Sequence, residues 1–464
     1  MVGTPTSLAR QAFAGVDLGD ERLNRRAGAV AERLMARGSA SFPKRFSDPA
    51  ALKGFYRLMT HAQATHATLL RPHVAQTHAR MATAAGVVLC LHDTTVLDYS
   101  GLTAIPDLGQ VGNGNGRGLY AHNCPAVAAD TRAVLGLAGQ LLHRRRRAPN
   151  GEPRTTRRTN PDRESRLWKA LSRAIPAAAP GKLYVDIADR GADILEFLDA
   201  EAQAGKSFVV RSRHNRGITW DHAGEPTKAK LHDLARTLPE RGRHDLEVRA
   251  KDGRPGRTAA VCVAWQRVAI QPPRQPRGDE RGVPLAVDVI RVWEPNPPPG
   301  TDGLEWILLT NVAVGTVADA GERIRWYGSR WIIEELHKAM KTGCGIENMQ
   351  FRSRARLEPA IAMLSVVATL LLTLRDQSRA ADATNRLATD AVPVPWVRVL
   401  SRWREKRARL DWSVHDFFAA LARLGGHQNR KHDHRPGWLV LWRGWTHLQC
   451  MLEGAAAASE EKCG

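Results

Sequence analysis

Apolar and polar positions fall into three textures along the chain. Through about residue 78 the apolar positions recur at helical spacing. After Leu18-Gly19-Asp20 they fall at Val30, Leu34 and Met35, with Asp20 placed to cap the helix. Pro43, Lys44 and Arg45 break that pattern, and a second helix is predicted over Ala50, Ala51, Leu52, Phe55, Tyr56 and Leu58, carrying the cations Lys53 and Arg57. From Gly86 the texture changes to short apolar runs at 87–91, 124–129, 134–142, 182–187 and 208–211, each bounded by turn or polar residues. Runs of that length predict buried strands. The glycine-rich stretch 112–118 reads as a turn, and helices are predicted at about 164–175 and 191–204. Strands and helices in this order predict an α/β fold built on a mixed sheet.

Residues 213–305 interrupt that order with Pro, Gly and alternating patterns such as 259–269 and 285–293, and read as an inserted β subdomain. Helices resume at about Val317. The longest apolar run, 360–374, is shorter than a membrane span and holds Ser365, Thr369 and Thr373, so a buried helix is expected. Beyond Arg375 the pattern is helical, with Trp396, Trp403, Trp412, Trp438, Trp442 and Trp445 among many arginines. Three domains are expected: helical 1–78, α/β 79–375 and helical 376–464.

Composition sharpens this. A hydrophobic share of 43% supports a packed core, so disorder is not expected. Lys and Arg total 68 against 47 acidic residues, a net +21, which points to a polyanionic partner. Six scattered cysteines lack the spacing of a zinc site or a disulfide framework and read as reduced thiols. No secretory pattern opens the chain, so a cytoplasmic protein is expected.

The helix predicted over about 325–341 carries the chemistry. At 100° per residue, Tyr327, Arg330, Glu334, His337, Lys338 and Lys341 share one face, while Ile332, Ile333, Leu336, Ala339 and Met340 oppose it. One carboxylate among cations suits an ion-bound phosphate: Glu334 on the ion, the cations on the phosphate oxygens. Asp93 and Asp189 are its natural partners, since each stands where an apolar strand ends, a favoured place for ligands in α/β sheets. Asp186, inside the strand, and Asp193, one turn into the next helix, are rivals for the second position; Asp193 is read as a helix N-terminal charge.

These residues resemble a known family. Tyr327-x2-Arg330-x3-Glu334-x6-Lys341 is similar to the YREK signature of bacterial insertion-sequence transposases. His92-Asp93-Thr94-Thr95 and Asp189-Arg190-Gly191-Ala192-Asp193-Ile194 look like its two Asp motifs, and Gly54-Phe55-Tyr56-Arg57-Leu58 resembles its end-binding domain. Pro436-Gly437-Trp438 with Trp442-Arg443-Gly444-Trp445 resembles its helical tail. The resemblance implies an RNase H-like core with an Asp93–Asp189–Glu334 triad that binds two Mg2+ ions, for which Mn2+ substitutes. It further implies nicking, hairpin formation and insertion of an element into target DNA, with transposon-end and target duplexes as partners and a homodimer on paired ends. Through the resemblance, Arg211 is expected in the active site and Trp306 against a flipped base. The run Arg144–Arg147 reads either as a phosphate-binding stripe or as a solvated loop.

Overall fold

The computed structural model describes residues 5–37, 41–46, 48–146, 149, 151–153, 156, 160, 162–248, 256–273, 282–430 and 435–460. Arg147, the end of the expected arginine stripe, lies outside them.

The chain opens with helices α1 (Pro5–Ala12), α2 (Glu21–Ala36), α3 (Phe42–Arg45), α4 (Pro49–Met59) and α5 (His66–Thr83). Asp20 caps α2 by accepting from the Arg22 backbone N–H, and Asp48 caps α4 through Ala50 and Ala51 at 2.9 and 3.2 Å. These helices are built into the rest of the protein. Phe42 and Phe55 pack at 4.4 Å between ring centroids and both reach Phe351, at 5.8 and 6.4 Å. Arg45 is buried and donates to the Cys344 carbonyl.

Twelve strands form one sheet: β1 (Val87–Asp98), β2 (Gly109–Val111), β3 (Gly116–Ala128), β4 (Val134–His143), β5 (Leu183–Ala188), β6 (Ser207–Arg211), β7 (Gly217–His222), β8 (Glu225–Lys230), β9 (Gly242–Val248), β10 (Arg257–Ile270), β11 (Leu285–Trp293) and β12 (Glu305–Thr310). Their order is β2-β3-β1-β5-β6-β12-β11-β10-β7-β8, with β4 on β3 and β9 on β10. The β1–β5 and β5–β6 pairs are parallel; the other pairs are antiparallel. The sheet is therefore mixed, as an RNase H-like α/β core requires. The inserted strands do not stand apart: β12 pairs with β6 through Leu308↔Arg211 and carries the sheet onward.

The remaining helices are α6 (Leu167–Ala174), α7 (Leu195–Gln203), α8 (Leu231–Thr237), α9 (Val317–Gly328), α10 (Trp331–Lys338), α11 (Arg354–Ser378), α12 (Val394–Glu405), α13 (Val414–Leu424) and α14 (Trp438–Glu460). Among the described residues α11 alone is long and apolar enough to cross a membrane, but 82% of its most apolar stretch is buried inside the protein. It packs against α5, β4, α14 and α1. Gly444 of α14 lies so close to α13 that a Cβ there would meet the Leu421 carbonyl oxygen at 1.9 Å. That approach requires glycine.

Three local expectations are corrected. Strand β1 continues to Asp98, past the end of its apolar run, because β3 pairs with it down to Asp98↔Gly118. The helix expected over 325–341 is broken at Ser329, whose hydroxyl donates to the Arg325 carbonyl, and ends in a π turn closed by Cys344 N–H to the Ala339 carbonyl. Asp193 is not a helix N-terminal charge. It is buried, accepts from the Arg213 and His214 backbone at 2.6 and 2.8 Å and pairs with Arg216, so α7 starts only at Leu195.

Candidate active site

The two aspartates occupy equivalent positions. The parallel ladder between β1 and β5 ends at His92↔Ala188, and Asp93 and Asp189 are the next residue on each strand. Where the parallel ladder ends, the next residue of each chain segment lies at the same level, close enough for the charge of Asp189 to act on Asp93. Asp93 remains within β1, opposite Asn123 of β3, and its Oδ1 accepts from the Thr94 N–H at 2.7 Å. Asp189 leaves the sheet and caps a short 3-10 turn, accepting from Gly191 N–H at 2.8 Å. A Cβ on residue 191 would sit 2.9 Å from that Asp189 oxygen and 3.2 Å from Trp168, which accounts for the glycine.

Glu334 comes from α10 and is largely exposed. Arg330, one turn earlier, bridges it to the sheet: its guanidinium pairs with Glu334 and stands 3.7 Å from Asp93 Oδ2. Burial, and then the charge of Asp189, push the Asp93 carboxyl up to about 6. Glu334 adds to the rise, while Arg330 and the Thr94 N–H oppose it. Three mutually repelling carboxylates with all-oxygen donors fit a hard divalent cation. Among the described residues no three acidic, His or Cys side chains are already grouped to hold an ion. Arg330 is the positive charge between two of them, and an exposed glutamate can turn about its side-chain torsions to close the set.

The other expected residues divide into two groups. Arg211, at the end of β6, donates to the Glu305 carbonyl at 2.8 Å and to the Tyr327 hydroxyl; its Nε is buried without a partner among the described residues, and burial lowers its pKa. Tyr327 is buried, with its phenol pKa raised by burial, and Trp306 packs edge-on against it at 5.0 Å and 71°. Arg211, Trp306, Tyr327 and Arg330 therefore form one patch beside the carboxylates. Lys338 is exposed. Lys341 is pulled aside to Glu347 at 3.2 Å, and Glu347 in turn accepts from the Asp98 backbone at 2.9 Å. His337 is turned toward Asn123, at 3.1 Å.

Sequence reasoning weighs Asp186 only as a rival ligand and passes over its partner. Asp186 sits on the other side of β5 from the site, bound by His92 Nε2 at 3.0 Å and by the Ser172 hydroxyl at 3.1 Å. Burial opposes its ionisation, but His92 keeps it a carboxylate, while burial and the Asp186 charge push Glu201 up to about 9. The signal is present in the sequence: residues one apart on a strand face opposite ways, so His92 must turn inward if Asp93 turns out.

A charge held against burial predicts its own stability effect. The Asp93 carboxyl rises from 3.8 to about 6 on folding, so the folded state gains below pH 4 and loses that gain as pH rises through 6. In metal-free buffer at pH 7.5, Asp93→Asn should therefore unfold at a higher temperature than wild type, by about 1–3 kcal/mol at 1.36 kcal/mol per pKa unit. The advantage should vanish as the pH is lowered toward 4. An unchanged or lower midpoint at pH 7.5 would show that Asp93 is not a strained charge.

A mixed sheet with acidic side chains where its central parallel ladder ends, beside a cluster of cations, is the architecture of RNase H-like phosphoryl-transfer enzymes. Comparison with known families narrows the class. A family model described as Transposase DNA-binding matches residues 5–64, and one described as Transposase DDE domain matches residues 159–371. The chain belongs to the insertion-sequence DDE transposases, metal-dependent enzymes that cleave DNA and transfer its strands. Asp189 and Glu334 lie inside the second match, and Asp93 lies between the two.

Proposed function

We propose that this transposase nicks the ends of its own element, closes and reopens a DNA hairpin at each end, and joins the freed ends to target duplex DNA. All steps take place at one site, where Asp93, Asp189 and Glu334 hold two Mg2+ ions. The observation that carries this reading is the paired placement of Asp93 and Asp189 past the last parallel pair, with Arg330 reaching from Asp93 to Glu334. Bound divalent ions supply an activated water or 3′-hydroxyl and neutralise charge on the phosphate. The chain's own residues position the DNA. Arg211 and Arg330 present guanidinium donors to phosphate oxygens, Tyr327 braces Arg211, and Lys338 and Lys341 extend the cationic face.

Two copies act together on paired ends in a bacterial cytoplasm, in contact through residues 376–464. Residues 1–78 recognise the ends and 79–375 carry the chemistry. The test uses full-length protein with duplexes bearing the inverted repeats that flank its gene. Mg2+-dependent nicks followed by hairpins, within a complex of two proteins and two ends on a native gel, are expected. Cleavage without a hairpin product would remove the hairpin step, and a complex of one protein on one end would remove the dimer.

Trp306 carries its own prediction. A strand that folds back into a hairpin must unstack a base, and an aromatic ring that receives the base offsets a few kcal/mol. Trp306 is partly exposed and adjoins Tyr327. Trp306→Ala should leave the first nick near its normal rate and slow hairpin closure by on the order of tenfold or more. An abasic site at the flipped position should restore much of that loss. Equal slowing of both steps, with a lowered melting temperature, would mean that Trp306 serves only to pack against Tyr327.

A further inference from the structure

Behind the carboxylates runs a line of uncharged polar side chains that the reaction as described does not use. His66, at the start of α5, places Nε2 2.8 Å from Gln140 Oε1. Gln140 Nε2 lies 2.6 Å from Asn123 Oδ1 and 3.0 Å from the Ser365 hydroxyl of α11. Asn123 Nδ2 lies 3.1 Å from the Ala121 carbonyl and 3.1 Å from His337 Nε2. Asn123 and Ser365 are fully buried and Gln140 nearly so. Buried amides of this kind are costly unless every donor finds an acceptor.

The direction of every bond follows from one group. A backbone carbonyl can only accept, so the Asn123 atom facing Ala121 is its NH2. Asn123 Oδ1 is then the acceptor for Gln140, whose NH2 must face Asn123, leaving Gln140 Oε1 to accept from His66 Nε2–H. At the other end the second Asn123 N–H points at His337 Nε2, which can receive it only if that nitrogen carries no proton. A neutral imidazole unprotonated at Nε2 carries its proton on Nδ1. Nδ1 has no partner among the described residues, and His337 lies one turn beyond Glu334 on α10.

We propose that Gln140 and Asn123 are positioning residues: they carry a one-way line of hydrogen bonds from His66 to His337, fix His337 in its Nδ1–H form, and so set an uncharged N–H donor for a DNA phosphate oxygen beside Glu334. The assignment of α10 as the catalytic helix rests on the function proposed above; the hydrogen-bond line does not. Burial, with the charges of Lys341 and Arg330, lowers His337 to about 3, in keeping with a neutral ring. The line starts at the first turn after the segment that matches the DNA-binding family, so it also ties that segment's exit to the helix that bears Glu334.

Two measurements test this. In full-length protein labelled with 15N-histidine, without DNA or metal, the His337 signals are identified by their loss in His337→Gln. Wild type should show a protonated Nδ1 and an unprotonated Nε2. Asn123→Asp puts an acceptor oxygen opposite Nε2 and should move the proton onto it. A proton on Nε2 in wild type, or an unchanged spectrum in Asn123→Asp that is folded by its melting curve, overturns the proposal.

The second measurement is single-turnover cleavage of end duplexes. His66→Leu removes the donor at the far end of the line and should slow cleavage about fivefold, the worth of one hydrogen bond, with end affinity unchanged. His66→Gln retains an N–H for Gln140 and should restore the rate to within twofold. Equal rates for the two variants would overturn the coupling. If the carboxylate variants remain active while the His337 ring has the expected form, the catalytic reading fails and the line stands; the reverse result sinks the line alone.

Discussion

Alanine at Asp93, Asp189 or Glu334 is expected to abolish metal-dependent cleavage of transposon ends, each by on the order of a thousandfold or more, while end binding should stay within about twofold. The size follows from what the carboxylates do. A bound divalent ion contributes several kcal/mol to phosphodiester cleavage, and each 1.36 kcal/mol is tenfold in rate. Removing any one of the three leaves a charge-depleted site in which Arg330 has lost one of its two acidic neighbours or faces them without Asp189. Glu335 is the matched control. It stands next to Glu334 but pairs with the buried Arg375, so Glu335→Ala should lower the melting temperature and spare the chemistry. A single-turnover assay on a labelled end duplex reads both, and near wild-type cleavage by any triad variant would show that its carboxylate is not a ligand.

The second large effect is on DNA binding. Lys53 and Arg57 lie one turn apart on α4 and are both exposed, with Tyr56 beside them at 37% exposure. Reversing both charges, Lys53→Glu with Arg57→Glu, should weaken binding to an end duplex about a hundredfold near physiological salt. It should also flatten the dependence of log K on log salt by about 2, since each phosphate contact contributes close to 0.9. Deleting the segment is the poorer experiment. Phe42 and Phe55 pack on Phe351, and the buried Arg45 holds the Cys344 carbonyl, so a truncated protein would lose core as well as DNA contacts. Fluorescence anisotropy across a salt series decides it; an affinity within twofold of wild type would move the DNA face off α4.

Much of this is legible because burial writes itself as runs and periods. The apolar runs at 87–91, 182–187 and 208–211 mark the three parallel-paired strands, and Asp93 and Asp189 are among the polar residues that end the first two. What the pattern conceals has physical causes. Strand β1 continues through Thr94, Thr95 and Asp98 because β3 supplies hydrogen bonds there, and backbone pairing leaves no mark in side-chain hydropathy. The break at Ser329 comes from a hydroxyl that competes for a helix carbonyl. Helical angle alone groups His337 with the cations, and a helical wheel cannot reveal that Asn123 waits across the sheet. Asn123 and Gln140 are the visible hint: amides inside apolar strands demand partners, and their partners come from three other elements.

The spacing of the site along the chain also sets a clock. Asp93 leaves the ribosome long before Glu334, and at 5–20 residues per second the interval is on the order of tens of seconds. Strand β6 has no neighbour on its outer edge until β12 arrives, and α5 has no α11 to rest on until residues 354–378 are made. A nascent chain therefore holds at most two of its three acidic residues until residue 334 of 464 has been made, and α5 lacks the helix it rests on until later still. The acidic triad and the helix beneath α5 are thus complete only once residue 378 of 464 has been added.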